Sequence, residues 1–220
     1  MTGLKIASIS EQLDSSPTPR HLVDFISRQL LKAKFVDFTN KSINKSKSGF
    51  VVNAGSIVAW RTGTKTAESG FRIVGAHTDS PCLRIKQNPD DKKFGFNTLS
   101  VEIYGSPLLN SWLDRDLGIA GHVVTRSGET KLFDSLRPVA RISQLAIHLD
   151  REINEKGLVL DKQLHLTPSW STERGAPSFA AWVAKITKTK PIEIVHIEAQ
   201  LSDTAKAAQV GVDSSLLASG

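Results

Sequence analysis

Thr18 and Pro19 open the most regular stretch of the chain, with Leu22, Phe25, Ile26, Leu30 and Leu31 recurring behind them at helical spacing. A threonine at the N-cap satisfies a free backbone amide, and a proline at the first helical position removes another donor. The pattern therefore predicts one amphipathic helix running to about Lys34. After a loop at 40–49, GFVVNAGSIVAWRTG reads as two short β-rich runs about a small-residue turn, and FRIVGA as a further short buried strand. From Leu99 to His148 the pattern breaks into the pieces VEIYG, GHVVTR, KLFDSL and LAIHL, punctuated by Gly, Pro and Asn, which predicts a mostly β section. A helix is expected at about Ser178 to Thr187. PIEIVHIEA, rich in β-branched residues, follows as another strand before an end rich in Ala and Ser.

An α/β beginning, a β-rich middle and a return to α/β is the pattern of one domain inserted into a loop of another. Pro81 to Pro89 and Lys188 to Pro191 are the natural junctions. The resulting expectation is an α/β segment over 1–84, an inserted β-rich domain over 85–190, and a returning α/β segment over 191–220.

Composition narrows the chemistry. With 220 residues and 40% hydrophobic content, the chain can bury a sizeable core. No apolar run is long enough to span a membrane, and the N-terminal MTGLKIASISEQLD has neither a basic nor an apolar leader region, so a cytoplasmic protein with no membrane partner is expected. The single cysteine, Cys82, excludes an internal disulfide framework and any multi-cysteine zinc site, so a metal would need His and carboxylate ligands. A net charge of +6 raises the question of nucleic acid. The lysines, however, gather in the loop NKSINKSKSG and at a helix end (Lys185, Lys188, Lys190), where solvation and the helix dipole account for them. No nucleic-acid-binding motif or aromatic stacking stripe accompanies them.

The segment GAHTDSPCLRIK sets His77 and Asp79 just after the expected strand FRIVGA. Sites in α/β sheets collect at the carboxyl ends of strands. An imidazole there can bind zinc while a carboxylate two residues on orients it. Spacing alone leaves open a histidine that simply caps a turn. Trp112, Asp114, Arg115 and Asp116 form a dense polar cluster that reads first as a charge-assisted pair pinning a loop. His21 falls on the apolar side of the first helix as a packed or capped histidine. Cys82 reads as a small buried filler. His122, His165 and His196 have no sequence neighbours that select them as ligands.

Taken together, SSPTPRH at 15–21, GFRIVGAHTDSPCLR at 70–84, YGSPLLNSWLDRDLGIAG at 104–121, and LAIHLDREIN with a later HLTP at 145–168 resemble the aspartyl aminopeptidase family, in order and over nearly the whole chain. The AHTDSP and SWLDRDL segments are the specific ones. The resemblance implies the N-terminal part of an α/β metallopeptidase domain carrying a mostly β inserted dimerisation domain. It implies a peptidase that removes N-terminal, preferentially acidic residues from peptides, using two zinc ions. His77 would ligate one zinc, Asp79 would be the acidic catalytic residue held against it, and His148 would reach a neighbouring subunit's substrate, making the protein a homo-oligomer.

The sequence also departs from the family pattern. The family's bridging aspartate and remaining ligands lie beyond position 220, none of Glu193, Glu198, Asp203 or Asp213 sits in a matching motif, and Val52 stands where many members carry an arginine. One imidazole and one supporting carboxylate cannot hold a dinuclear site. Little or no peptidase activity is therefore expected of this chain alone. The competing classes are a non-catalytic partner of an intact aminopeptidase and, with poor support, a basic nucleic-acid binder.

Overall fold

A computed structural model describes residues 6–43, 45–64 and 70–219. The leader-region reading of residues 1–5 and Asn44 of the lysine–serine loop lie outside the described residues. Two compact units divide the chain. One comprises the described residues up to Ser80 together with Ala207–Leu217, and the other comprises Pro81–Lys206 together with the described residues from Ala218 on. No described helix is long and apolar enough to cross a membrane.

In the first unit, helices α1 (Ile6–Asp14) and α2 (Pro19–Lys32) precede a three-stranded sheet. The side chain of Thr18 accepts a hydrogen bond from the His21 amide and lies 2.8 Å from His21 Nδ1, so the cap and the histidine hold each other. Val23 and Phe25 are buried on the inner face of α2. Strand β1 (Val36–Asp37) runs parallel to β2 (Ser48–Asn53), which forms a hairpin with β3 (Ser56–Arg61). Phe38 stacks on Trp60 at 5.6 Å between ring centroids, and both rings lie over Gly49, where a side chain would collide with them.

The expected strand FRIVGA does not form. Residues 70–77 pair with no strand among the described residues, and Phe71, Ile73 and Val74 are almost fully exposed. β-Branched residues favour an extended backbone, but a strand also needs a ladder partner.

The second unit is a six-stranded antiparallel sheet in the order β7-β6-β9-β4-β5-β8. The strands are β4 (Cys82–Lys93), β5 (Phe96–Tyr104), β6 (Leu117–Thr125), β7 (Thr130–Asp134), β8 (Ser169–Ser171) and β9 (Ile194–Asp203). A one-turn helix α3 (Ile153–Lys156) and helix α4 (Phe179–Ile186) lie in the connections. VEIYG, GHVVTR, KLFDSL and PIEIVHIEA thus form strands as expected. LAIHL instead forms a turn at 147–149 with Leu145, Ile147 and Leu149 exposed, and among the described residues no strand pairs with it to take up its alternation.

Apolar residues of β4, β5, β6 and β9 meet α4 in one core, with Leu83, Leu99, Leu117, Ile119, Val123, Val183 and Leu201 essentially inaccessible. Trp182 of α4 meets Phe133 and Trp170 edge-on at 6.2 Å and stacks on Phe179 at 6.1 Å, an aromatic cluster that seats the helix. Ser178 caps α4, and Asp90 of β4 accepts from the Phe179 amide at 2.8 Å. The chain ends in a two-stranded pair, β10 (Ala208–Val210) and β11 (Leu216–Ala218).

Candidate metal-binding site

His77 and Asp79 stand together on the loop that leads out of the first unit. Nδ1 of His77 is 3.1 Å from Oδ1 of Asp79, and the imidazole is otherwise open to solvent, its side chain 90% exposed. Thr78, between them, donates its hydroxyl to the Gly55 carbonyl at 2.6 Å, anchoring the loop to the β2–β3 turn. An Nδ1 proton given to the carboxylate fixes the tautomer and leaves the Nε2 lone pair outward, the arrangement in which carboxylate support prepares a histidine for a metal. The loop presents one imidazole in that arrangement.

His148 lies in the second unit, exposed in the turn at 147–149. The polar cluster of the SWLDRDL segment turns outward to other segments of the same unit. Arg115 pairs with Asp203, while Arg141 reaches Asp116 at 2.8 Å and Asp114 at 3.5 Å. The Asp116 carbonyl accepts from Thr204 at both the amide and the hydroxyl. These bonds bind the loop before β6 to the end of β9, so the cluster holds the fold together. Cys82 is buried and donates to Gln200 at 3.4 Å.

Residues 12–220 match the family model described as Aminopeptidase I zinc metalloprotease (M18). The chain belongs to the M18 family. A Streptomyces coelicolor relative, "Probable M18 family aminopeptidase 2", is 50% identical over 161 residues, covering 72% of this chain and 37% of the relative. Among solved structures, an Ape4 and Nbr1 complex determined by cryo-EM matches at TM-score 0.86 and 27% identity over 96% of this chain and 46% of that one. The mApe1 dodecamer of S. cerevesiae matches at TM-score 0.77 and 24% identity over 96% of this chain and 50% of that one, a likeness of fold. The M18 chain spans only 37 to 51% of the length of curated relatives that it matches.

A second group in this M18 chain escaped the sequence reading. His122 on β6 and His196 and Glu198 on β9 bring one ligand atom each within 4.8 Å of one another. The signal was present in half. HIEAQ alternates polar His196, Glu198 and Gln200 with apolar Ile197 and Ala199, marking a polar strand face, but nothing in the sequence says that β6 lies against it.

Proposed function

We propose that this chain is the N-terminal part of a zinc aminopeptidase that releases N-terminal residues, preferentially acidic ones, from peptides. The observation that carries the reading is the His77–Asp79 pair, an exposed imidazole backed by a carboxylate at 3.1 Å, inside a match to the zinc metalloprotease family. The donor set fits zinc as far as it goes, since His77 offers Nε2 and Asp79 holds the ring by accepting from Nδ1. Zinc, when bound, supplies the Lewis acidity that polarises a peptide carbonyl. On this reading Asp79 keeps the proton on Nδ1, and Thr78 keeps the loop against the hairpin so that the ring is presented in one orientation.

The remaining ligands of a two-zinc centre would come from the part of the relatives that this chain does not cover, so the 220 residues alone are expected to be inactive or weakly active. His148 would contact substrate in a neighbouring subunit, with the second unit mediating self-association. The dodecameric state named for the fold neighbour supports that assembly.

The test joins residues 1–220 to the uncovered C-terminal part of the Streptomyces coelicolor relative. The joined protein is expected to hydrolyse aspartyl and glutamyl chromogenic substrates, chelator and His77→Ala should each abolish turnover, and the 220-residue chain alone should show little. Full turnover with His77→Ala would overturn the assignment. Turnover by the short chain at the joined protein's rate would overturn its expected inactivity.

A further inference from the structure

We propose that the second unit carries its own binding site for a divalent transition-metal ion of the zinc type, formed by His122, His196 and Glu198. The antiparallel register places His122 directly opposite Glu198 and Val124 opposite His196. Residues opposite each other in a ladder share a face, and so do residues two apart on one strand. All three side chains therefore project from the same side of the β6–β9 pair. Their potential ligand atoms lie within 4.8 Å of one another, with the two imidazole centroids 6.2 Å apart.

The strands come unusually close at this point. A β-carbon on Gly121 would stand 2.8 Å from the Ala199 Cα and closer still to the Glu198 carbonyl, so only glycine lets β6 and β9 meet here. His122 is buried, 5% exposed, which fixes one ligand in place. His196 and Glu198 are exposed and free to turn. Zinc bonds of about 2.0–2.2 Å bring tetrahedral ligand atoms to roughly 3.3–3.6 Å apart, so closure asks for an inward turn of at most about 1.5 Å from the two exposed side chains. Such a movement is a rotamer adjustment and leaves the backbone alone.

Two imidazoles and one carboxylate form a donor set suited to zinc, cobalt, nickel or copper and a poor one for calcium or magnesium, which favour oxygen ligands. Three protein ligands leave at least one position open to water. Because His196 and Glu198 are exposed, an ion reaches the site directly from solvent. Bound metal would cross-link β6 to β9, strands far apart in sequence, and so stabilise the second unit.

This site is independent of the His77 assignment, and one set of titrations separates the two. The purified 220-residue chain is titrated with Co²⁺, following its ligand-field absorption, and Zn²⁺ is then used to displace it. One saturable site is expected, retained in His77→Ala and weakened about tenfold or more in His196→Ala and in Glu198→Gln. Zn²⁺ should also raise the melting temperature of the chain and of His77→Ala, and do so less in both β9 variants. Because His122 is buried, the exposed His196 and Glu198 carry the test, and circular dichroism of their variants confirms that the fold persists. No saturable cobalt band, unchanged affinity in both β9 variants, or loss of the band in His77→Ala would each overturn the proposal.

Discussion

Gly121 and Ala199 face each other across the β6–β9 ladder with no room for a side chain at position 121, where an added β-carbon would lie 2.8 Å from the Ala199 Cα. The obstruction is backbone, which cannot rotate aside. Gly121→Ala should force the two central strands apart and cost about 2–3 kcal/mol. A lowered urea midpoint, read from tryptophan fluorescence of the second unit, checks this. The same change should weaken cobalt binding by the His122 group. An unchanged midpoint would show that the strands separate without penalty.

Asp90 reaches from β4 to the first amide of α4, accepting from Phe179 at 2.8 Å. A carboxylate at a helix N-terminus satisfies a free donor and complements the helix dipole. Asp90→Ala should destabilise the second unit by about 1 kcal/mol. Asp90→Asn should recover part of the loss, since the amide oxygen still accepts while the charge is gone. Chemical unfolding of the two variants side by side measures both contributions.

Asp37 accepts from the Thr39 hydroxyl and the Thr39 amide, and these bonds, the hydroxyl first, hold its carboxyl below the ordinary 3.8. Thr39 in turn accepts from the Val52 amide at 3.0 Å, so the pair ties the end of β1 to β2. A depressed folded-state pKa contributes stability that is present above the unfolded value and lost as pH falls through the folded one. Stability of the first unit should therefore decline as pH drops below about 4. Asp37→Asn should be less stable at neutral pH and show a shallower acid decline, as equilibrium unfolding at several pH values would reveal.

On the proposed function, Asp79 would position His77 and His148 would contact substrate. In the joined protein described above, Asp79→Ala should lower activity about 10- to 100-fold, the usual effect of removing a ligand's hydrogen-bond partner. Part of that loss should return at raised zinc concentration. His148→Ala should instead act through KM or kcat with no dependence on zinc. Steady-state kinetics across a zinc series distinguishes the two roles.

Local signals in the sequence correspond to local structure. Thr18 and Pro19 start α2, Ser178 starts α4, and the small residues between Val52 and Ile57 turn a hairpin, because capping and turn chemistry act over a few residues. FRIVGA and LAIHL show the limit of the same reasoning, since strand-like composition does not supply a neighbour.

Sequence alone determined the family, through the ordered segments around AHTDSP and SWLDRDL, and it placed His77 two residues from Asp79, where loop geometry could bring them together. Only the tertiary structure decided that β9 lies between β6 and β4, and so that His122 faces His196 and Glu198. The physical reason is the range of the interaction. A cap, a turn or an i, i+2 pair is set by neighbouring backbone, whereas contact between positions more than seventy residues apart depends on which strands pair and in what register, and the whole core determines that.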